Sequence, residues 1–279
     1  MKSKTLKRLL IGEFSVKRFV RSALLIYAVL CFYAFFLTDR QIFQPQPASY
    51  QDTPTTLKLK TPGKALISAT YLPNPQARYT ILYSHGNAED LGDIEATLNT
   101  IHDAGFAVFA YDYRGYGTSQ GRPSEQHAYQ DADAAYSYLT QTLKVPGDRI
   151  IAFGRSVGGG VAVDLAAHKP VAGLIVESSF VTAFRVVTHI PIVPFDKLAN
   201  IDKIRRIHCP VLVIHGTADE IIPFQHGEQL FQAAHSPKQS FWVENANHDD
   251  LVAVAGSSYA QKLQLFAQLV QETSRLSAK

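Results

Sequence analysis

Cysteine is almost absent from this chain of 279 residues, which contains only two. Cys31 lies in a long apolar run, and Cys209 is the single thiol of the remaining chain. A disulfide framework within the chain is therefore excluded. Because Cys209 adjoins an apolar strand pattern, we expect it to be a small buried hydrophobic residue and not a nucleophile.

Basic charge is missing from most of the sequence, although the whole chain has a net charge of +3. Residues 1–40 contain eight Lys or Arg against two acidic residues, which leaves the other 239 residues at −3. The body of the protein thus offers no basic stripe to phosphates, and we exclude nucleic acid as a partner.

A metal-ligand pattern is also lacking. His248, Asp249 and Asp250 are consecutive, which is a poor geometry for three ligands on one ion, and no second histidine cluster completes a site. The sequence predicts neither a metal nor a cofactor.

Only one apolar run is long enough to cross a membrane: residues 22–38 carry no charge. A cleaved signal peptide would need small residues after the run, but TDRQIFQPQP has no A-x-A pattern. A lipoprotein signal would need a small residue before Cys31, where Leu30 stands. The run is therefore predicted to be an uncleaved signal anchor.

The charges around this run predict its orientation. Seven basic residues and one acid precede it, so the positive-inside rule keeps residues 1–21 in the cytoplasm as a basic tail. The rest of the chain would then lie outside the membrane, in the periplasm if the host is a bacterium. Residues 39–56 are rich in proline and glutamine and are predicted to be an extended linker.

Residues 57–279 alternate between strand and helix patterns. The apolar runs RYTILYSHG, GFAVFAYDY, DRIIAFG, VAGLIVES, CPVLVIHG and QSFWVEN are typical of strands buried on both faces of a parallel sheet. Helical patterns follow at about 89–104, 123–142, 157–168, 224–235 and 251–273. TLKLKT and KALISATYL predict an antiparallel hairpin at the sheet edge. The fold class is α/β, a doubly wound and mostly parallel sheet, with a short cap at about 180–208.

Two stretches match G-x-S-x-G, a pattern of nucleophilic serines, and only one has the right surroundings. Ser156 in GRSVGGG follows a strand pattern and precedes a helix pattern, and Gly154 and Gly158 permit the sharp turn between them. Ser119 in GTSQG lies among turn residues. We therefore predict Ser156 as the nucleophile and Ser119 as a turn residue.

The base and the acid are expected to follow the serine in the order acid, then histidine. His248 in NANHDD lies in a loop after a strand, whereas His226 and His235 lie in a helix pattern. Asp219 follows the strand CPVLVIHG, with Glu220 as its near rival. We predict His248 as the base and Asp219 as the acid that orients it, and a structural role for His215.

An oxyanion formed at Ser156 needs two hydrogen-bond donors. The Val157 N–H follows the nucleophile directly, and the Asn87 N–H lies in the loop after YTILYSHGN. Gly86 allows a close approach there, and His85 and the Asn87 side chain either brace this loop or are purely structural.

HGNAED, YDYRGYGTSQG, GRSVGGG, PVLVIHGTADEIIP and NHDD together resemble the α/β-hydrolase superfamily over residues 57–275. HGN followed by GRSxGG behind one N-terminal span is most similar to the membrane-anchored α/β-hydrolase domain-containing proteins. That branch includes eukaryotic depalmitoylases and bacterial enzymes described as serine peptidases. The resemblance implies acyl-enzyme chemistry on an ester, thioester or amide; HGN in place of HGGG argues against a true lipase.

We therefore expect a membrane-anchored serine hydrolase that cleaves carboxylic esters or thioesters, acting on a small-molecule or acyl-chain substrate. A serine peptidase or amidase would use the same residues. A binding module that keeps the fold without catalysis is a third hypothesis, which the intact set Ser156, Asp219 and His248 opposes.

Overall fold

The computed structural model describes residues 15–235 and 237–277, and it divides into two compact units, residues 1–41 and 42–279. The basic tail predicted at 1–21 lies largely outside the described residues. In the first unit, α1 (Val16–Phe36) contains the predicted apolar run, and α2 (Asp39–Ile42) follows at the unit boundary. Within the described residues, α1 is the one helix that is long and apolar enough to cross a membrane.

The second unit is built on one eight-stranded sheet with the order β1-β2-β4-β3-β5-β6-β7-β8. The strands are β1 (Leu57–Lys60), β2 (Leu66–Leu72), β3 (Thr80–Ser84), β4 (Ala107–Tyr111), β5 (Ile150–Arg155), β6 (Gly173–Glu177), β7 (Val211–Gly216) and β8 (Lys238–Val243). β1 and β2 are antiparallel at the edge, and β3 to β8 are parallel. The mostly parallel sheet and its edge hairpin are thus confirmed.

Helices cover both faces of this sheet. In chain order they are α3 (Glu95–Asp103), α4 (Glu125–Ser137), α5 (Val157–His168), α6 (Ala183–Thr188), α7 (Asn200–Ile204), α8 (Gln225–Ala233), α9 (Leu251–Ala255) and α10 (Ser257–Ser277). A π-helical turn, Tyr138–Thr142, extends α4. The short α6 and α7 occupy the insertion between β6 and β7, where the cap is predicted.

The buried strands alternate their side chains between two cores. In β5, Ile150 and Ala152 pack on the side of α4, α5, α7 and α8, whereas Ile151 and Phe153 pack on the side of α3 and α10. This period of two is what an extended chain requires when both of its faces are apolar. Because β3, β5, β7 and β8 are parallel, their carboxyl ends lie on the same side of the sheet, and the predicted site residues follow these ends.

Candidate active site

Ser156 occupies a sharp turn between β5 and α5. Its backbone has φ 53° and ψ −119°, a region that residues with a side chain rarely adopt, and the residue is 7% exposed. Such strain persists only where the surrounding structure fixes it, and it is common at functional sites. The conformation is that of the strand–turn–helix that presents a nucleophilic serine.

The flanking glycines explain how this turn is fixed. A Cβ on Gly154 would lie 2.1 Å from the Gly158 carbonyl oxygen, and a Cβ on Gly158 would lie 2.0 Å from the Ser84 carbonyl oxygen. Both clashes are with backbone, which cannot move aside as a side chain can. The turn is therefore packed directly against the end of β3, beside the loop that contains Asn87.

Asp219 and His248 are in direct contact. His248 Nδ1 lies 2.8 Å from Asp219 Oδ2, and both residues are buried. The other carboxylate oxygen, Oδ1, accepts the N–H groups of Ile221 and Ile222. The carboxylate is thus oriented by its own loop, and it can fix His248 in the tautomer that carries its proton on Nδ1.

The ionisation state of Asp219 agrees with this role. Burial opposes its ionisation, but the hydrogen bonds from His248 and the Ile222 N–H outweigh that effect and leave the pKa below its ordinary value. The rival acid, Glu220, is exposed, and its backbone N–H donates to Asn247.

The other histidines and the second serine have different partners. His215 Nε2 lies 2.8 Å from the Ile222 carbonyl oxygen and 3.4 Å from Asp219 Oδ2, so it braces the loop of the acid. His226 Nδ1 accepts the Val181 N–H, and His235 Nε2 donates to the Arg205 carbonyl. Ser119 Oγ accepts the Ser68 N–H and donates to the Asp112 carbonyl, as expected of a turn residue.

Residues 85–89 follow β3, and we call them the oxyanion loop because they contain Asn87, one of the two predicted oxyanion donors. The Asn87 side chain accepts hydrogen bonds at Oδ1 from the Gln44 N–H (2.8 Å) and from the Tyr116 hydroxyl (2.7 Å). The Tyr113 hydroxyl donates to the His85 carbonyl, and the Gly86 N–H donates to Glu89. The side chain of Asn87 thus braces the loop, and Val157, the other predicted donor, is the first residue of α5.

Several residues around the site were missed by the sequence analysis. Arg155, directly before Ser156, donates to the His248 carbonyl and contacts Glu89. Glu177, at the end of β6, is buried, and its carbonyl accepts the Ser156 N–H. The only signal in the sequence is that charged residues end two otherwise apolar strands.

No group of three or more His, Cys, Asp or Glu side chains that could hold a metal ion occurs among residues 15–235 and 237–277.

Comparisons with known proteins show which family this chain resembles. A family model described as "Serine aminopeptidase, S33" matches residues 75–201. Alpha/beta hydrolase domain-containing protein 17B of Xenopus tropicalis is 40% identical over 206 residues, which cover 71% of this chain and 68% of the relative. The Homo sapiens protein of the same name is 39% identical over 206 residues, with the same coverage.

Among solved structures, an esterase from Pyrococcus furiosus has a TM-score of 0.68 at 17% sequence identity, covering 80% of this chain and 98% of that one. A monoacylglycerol lipase from Paleococcus ferrophilus has a TM-score of 0.57 at 20% identity, covering 74% and 98%. At these identities the similarity concerns the fold.

The sheet order and the similarity to these proteins place the chain among the α/β hydrolases. The chain belongs to the α/β-hydrolase superfamily, as the sequence motifs indicate. Within it, the chain is similar over most of its length to the alpha/beta hydrolase domain-containing 17 proteins of vertebrates.

Proposed function

We propose that the protein is a membrane-anchored serine hydrolase that cleaves carboxylic esters or thioesters by way of an acyl-enzyme. The observation that carries this proposal is the hydrogen bond between Asp219 and His248 together with the strained turn at Ser156. A serine hydroxyl needs a base to accept its proton, and an oriented histidine is the usual one.

In the proposed mechanism, Ser156 Oγ attacks the acyl carbonyl carbon while His248 Nε2 accepts the hydroxyl proton. The N–H groups of Asn87 and Val157 stabilise the negative charge on the carbonyl oxygen. The bond to the leaving alcohol or thiol breaks, and His248 returns the proton to it. Water, deprotonated by the same histidine, then attacks the acyl-enzyme and frees the acid.

Two features support an acyl-chain substrate at a membrane. The apolar α1 is exposed along most of its length, as a membrane span would be in the absence of lipid. In the insertion between β6 and β7, where the cap is predicted, Val187 is 80% exposed and Ile190 is 64% exposed, so this segment presents aliphatic side chains to its surroundings.

The experiment is labelling of the purified protein with a fluorophosphonate, followed by peptide mapping of the modified residue. We expect a single adduct on Ser156, none in Ser156→Ala, and labelling slower by about three orders of magnitude or more in His248→Ala. Asp219→Asn should slow turnover about 10⁴-fold, because the histidine loses its correct tautomer.

The chain offers matched controls for this experiment. Ser119→Ala and Glu220→Gln change the second serine and the neighbouring acid, and both should be labelled like the parent protein. An adduct on Ser119, or the absence of any adduct on the parent, would contradict the proposal.

A serine peptidase or amidase is the second candidate, favoured by the family model described as a serine aminopeptidase. The two functions differ in the leaving group. Measuring kcat/KM for esters, thioesters and aminoacyl amides that share one acyl group separates them: we expect turnover of the ester or thioester with no turnover of the amide, and catalytic turnover of the amide would support the peptidase.

A further inference from the structure

Arg155 is a nearly buried charge whose position in the chain links it to the nucleophile. It is the last residue of β5, directly before Ser156, and its side chain is 12% exposed. Its guanidinium contacts residues of three other segments: the loop after β3, the last residue of β6 and the loop after β8. A buried arginine is costly unless its donors are paired, so each of these contacts helps to hold the side chain in place.

On one side, Arg155 contacts the oxyanion loop. Its Nη1 donates to Glu89 Oε1, and the other oxygen of that carboxylate, Oε2, accepts the Gly86 N–H at 2.8 Å. Glu89 therefore transmits the position of the guanidinium to the backbone next to Asn87. A Cβ on Gly86 would lie 2.7 Å from Glu89 Oε2, so the Glu89 carboxylate packs directly against the Gly86 backbone.

On the other side, Arg155 contacts the loop of residues 244–250, which we call the histidine loop. Its Nη2 donates to the His248 carbonyl oxygen at 2.8 Å and to Asp249 Oδ1 at 2.8 Å. The Asp249 side chain is 85% exposed, so the bond to the backbone of His248 is the better shielded of the two.

Beneath these loops, Glu177 provides a buried counter-charge. Its Oε1 lies 3.9 Å from Arg155 Nε, and its Oε2 accepts the Tyr259 hydroxyl at 2.7 Å. The guanidinium is thus fixed from three directions, by Glu89, Glu177 and the His248 carbonyl.

We propose that Arg155 is a positioning residue, which holds the oxyanion loop and the histidine loop in the correct places relative to Ser156. This inference rests on the proposed function. It assigns no contact with substrate to Arg155. A guanidinium suits the task because its planar donors reach several acceptors at fixed angles, which a lysine ammonium cannot do.

The test compares Arg155→Lys, which keeps the charge, with Arg149→Lys at an exposed arginine just before β5. For Arg155→Lys we expect kcat on a short ester to fall roughly 10- to 100-fold, since small displacements of catalytic groups have effects of that size. KM should change less than kcat, and the thermal midpoint should stay close to that of the parent. Arg149→Lys should match the parent in all three measurements.

A second readout does not depend on activity. Hydrogen exchange measured by mass spectrometry should be faster in Arg155→Lys for peptides covering the oxyanion loop and for peptides covering the histidine loop. Elsewhere in the sheet it should be unchanged. Since this measurement needs no substrate, it separates failure of the positioning role from failure of the proposed hydrolase activity.

Combining Arg155→Lys with Glu89→Gln tests whether these two residues act together. If Arg155 acts on the oxyanion loop through Glu89, the double variant should lose less activity than the two single losses combined. Unchanged exchange in both loops, or a loss of stability with kcat per folded molecule preserved, would overturn the proposal.

Discussion

At the scale of single residues, the site depends on glycines, which have no Cβ, as much as on the reactive side chains. Gly158 lies so close to Ser84 that a methyl group would meet two carbonyl oxygens, those of Ser84 and His85, at 2.0 Å and 2.5 Å. Gly160, two residues further along α5, would meet side-chain atoms only, Leu198 Cδ2 at 2.9 Å and Leu198 Cβ at 3.0 Å. The requirement for glycine is therefore strictest next to the nucleophile.

His226 is a residue whose protonation the fold opposes. It is 7% exposed, and its Nδ1 accepts the Val181 N–H, which is possible only while that nitrogen is unprotonated. Burial, and then repulsion by the basic side chains around it, lowers its pKa from 6.5 to about 4. Between these two values the unfolded chain binds a proton that the folded chain does not.

The stabilisation from neutral His226 is therefore fully present above pH 6.5 and is lost as the pH falls towards 4. We expect His226→Asn, whose Oδ1 can accept the same N–H, to reduce the loss of unfolding free energy between pH 7 and pH 4.5 by about 1–2 kcal/mol. Urea unfolding of both proteins at the two pH values measures this. An identical loss in both would contradict the assignment.

At the scale of elements, the sequence predicted most of the sheet, because strands buried on both faces have an unmistakable apolar pattern. Strands β3 to β7 follow that pattern closely, and β1, β2, β8 and α5 lie where the sequence predicts them. Helix bounds were less accurate. The helix predicted from 89 begins only at Glu95, since Asp90 accepts the N–H groups of Gly92 and Asp93 in a turn. The helix predicted over 251–273 is divided at Gly256, where φ is 53°.

In the candidate site, too, the residues that belong to local sequence patterns were predicted and the others were missed. Ser156, Asp219 and His248 follow from motifs and loop positions, but Arg155, Glu89 and Tyr116 do not. Their roles depend on contacts between segments far apart in the chain, such as the 66 residues that separate Glu89 from Arg155. No local pattern encodes such pairs.

The segment of residues 43–52, predicted as part of an extended linker, is tied to the oxyanion loop and its neighbours. Phe43 is 2% exposed and contacts Tyr113, and the Gln44 N–H donates to Asn87. Further along, Ser49 donates to Asp90, and the Tyr50 hydroxyl donates to Asp112. These bonds give the segment a role in supporting the loop after β3.

Because the bond from Gln44 comes from its backbone N–H, a proline at this position removes the donor, whereas a side-chain truncation leaves it in place. We expect Gln44→Pro, which has no N–H, to lower kcat on a short ester roughly 2- to 10-fold, about the value of one hydrogen bond. Gln44→Ala keeps the N–H and should match the parent. Equal effects of the two substitutions would show that the side chain, and not this hydrogen bond, matters.

At the scale of the whole molecule, the proposal of a membrane anchor rests on the length of α1 and on the charges that precede it. α1 has 21 residues, enough to cross the hydrocarbon core at 1.5 Å per residue. Before its apolar core lie seven basic residues, Lys2, Lys4, Lys7, Arg8, Lys17, Arg18 and Arg21, against the single acid Glu13. An enzyme with an acyl-chain substrate would gain from such an anchor, because it would share the surface on which that substrate is concentrated.

The orientation proposed from these charges can be measured with one introduced thiol. Leu276 in α10 is 73% exposed, so a cysteine there should react freely, whereas burial raises the pKa of Cys209 to about 12 and leaves it unreactive. In a bacterial expression host, Leu276→Cys should react with a membrane-impermeant maleimide equally well in sealed and in lysed spheroplasts, with the parent protein as background. Labelling only after lysis would place the hydrolase unit in the cytoplasm, and the basic residues before α1 would then not govern its topology.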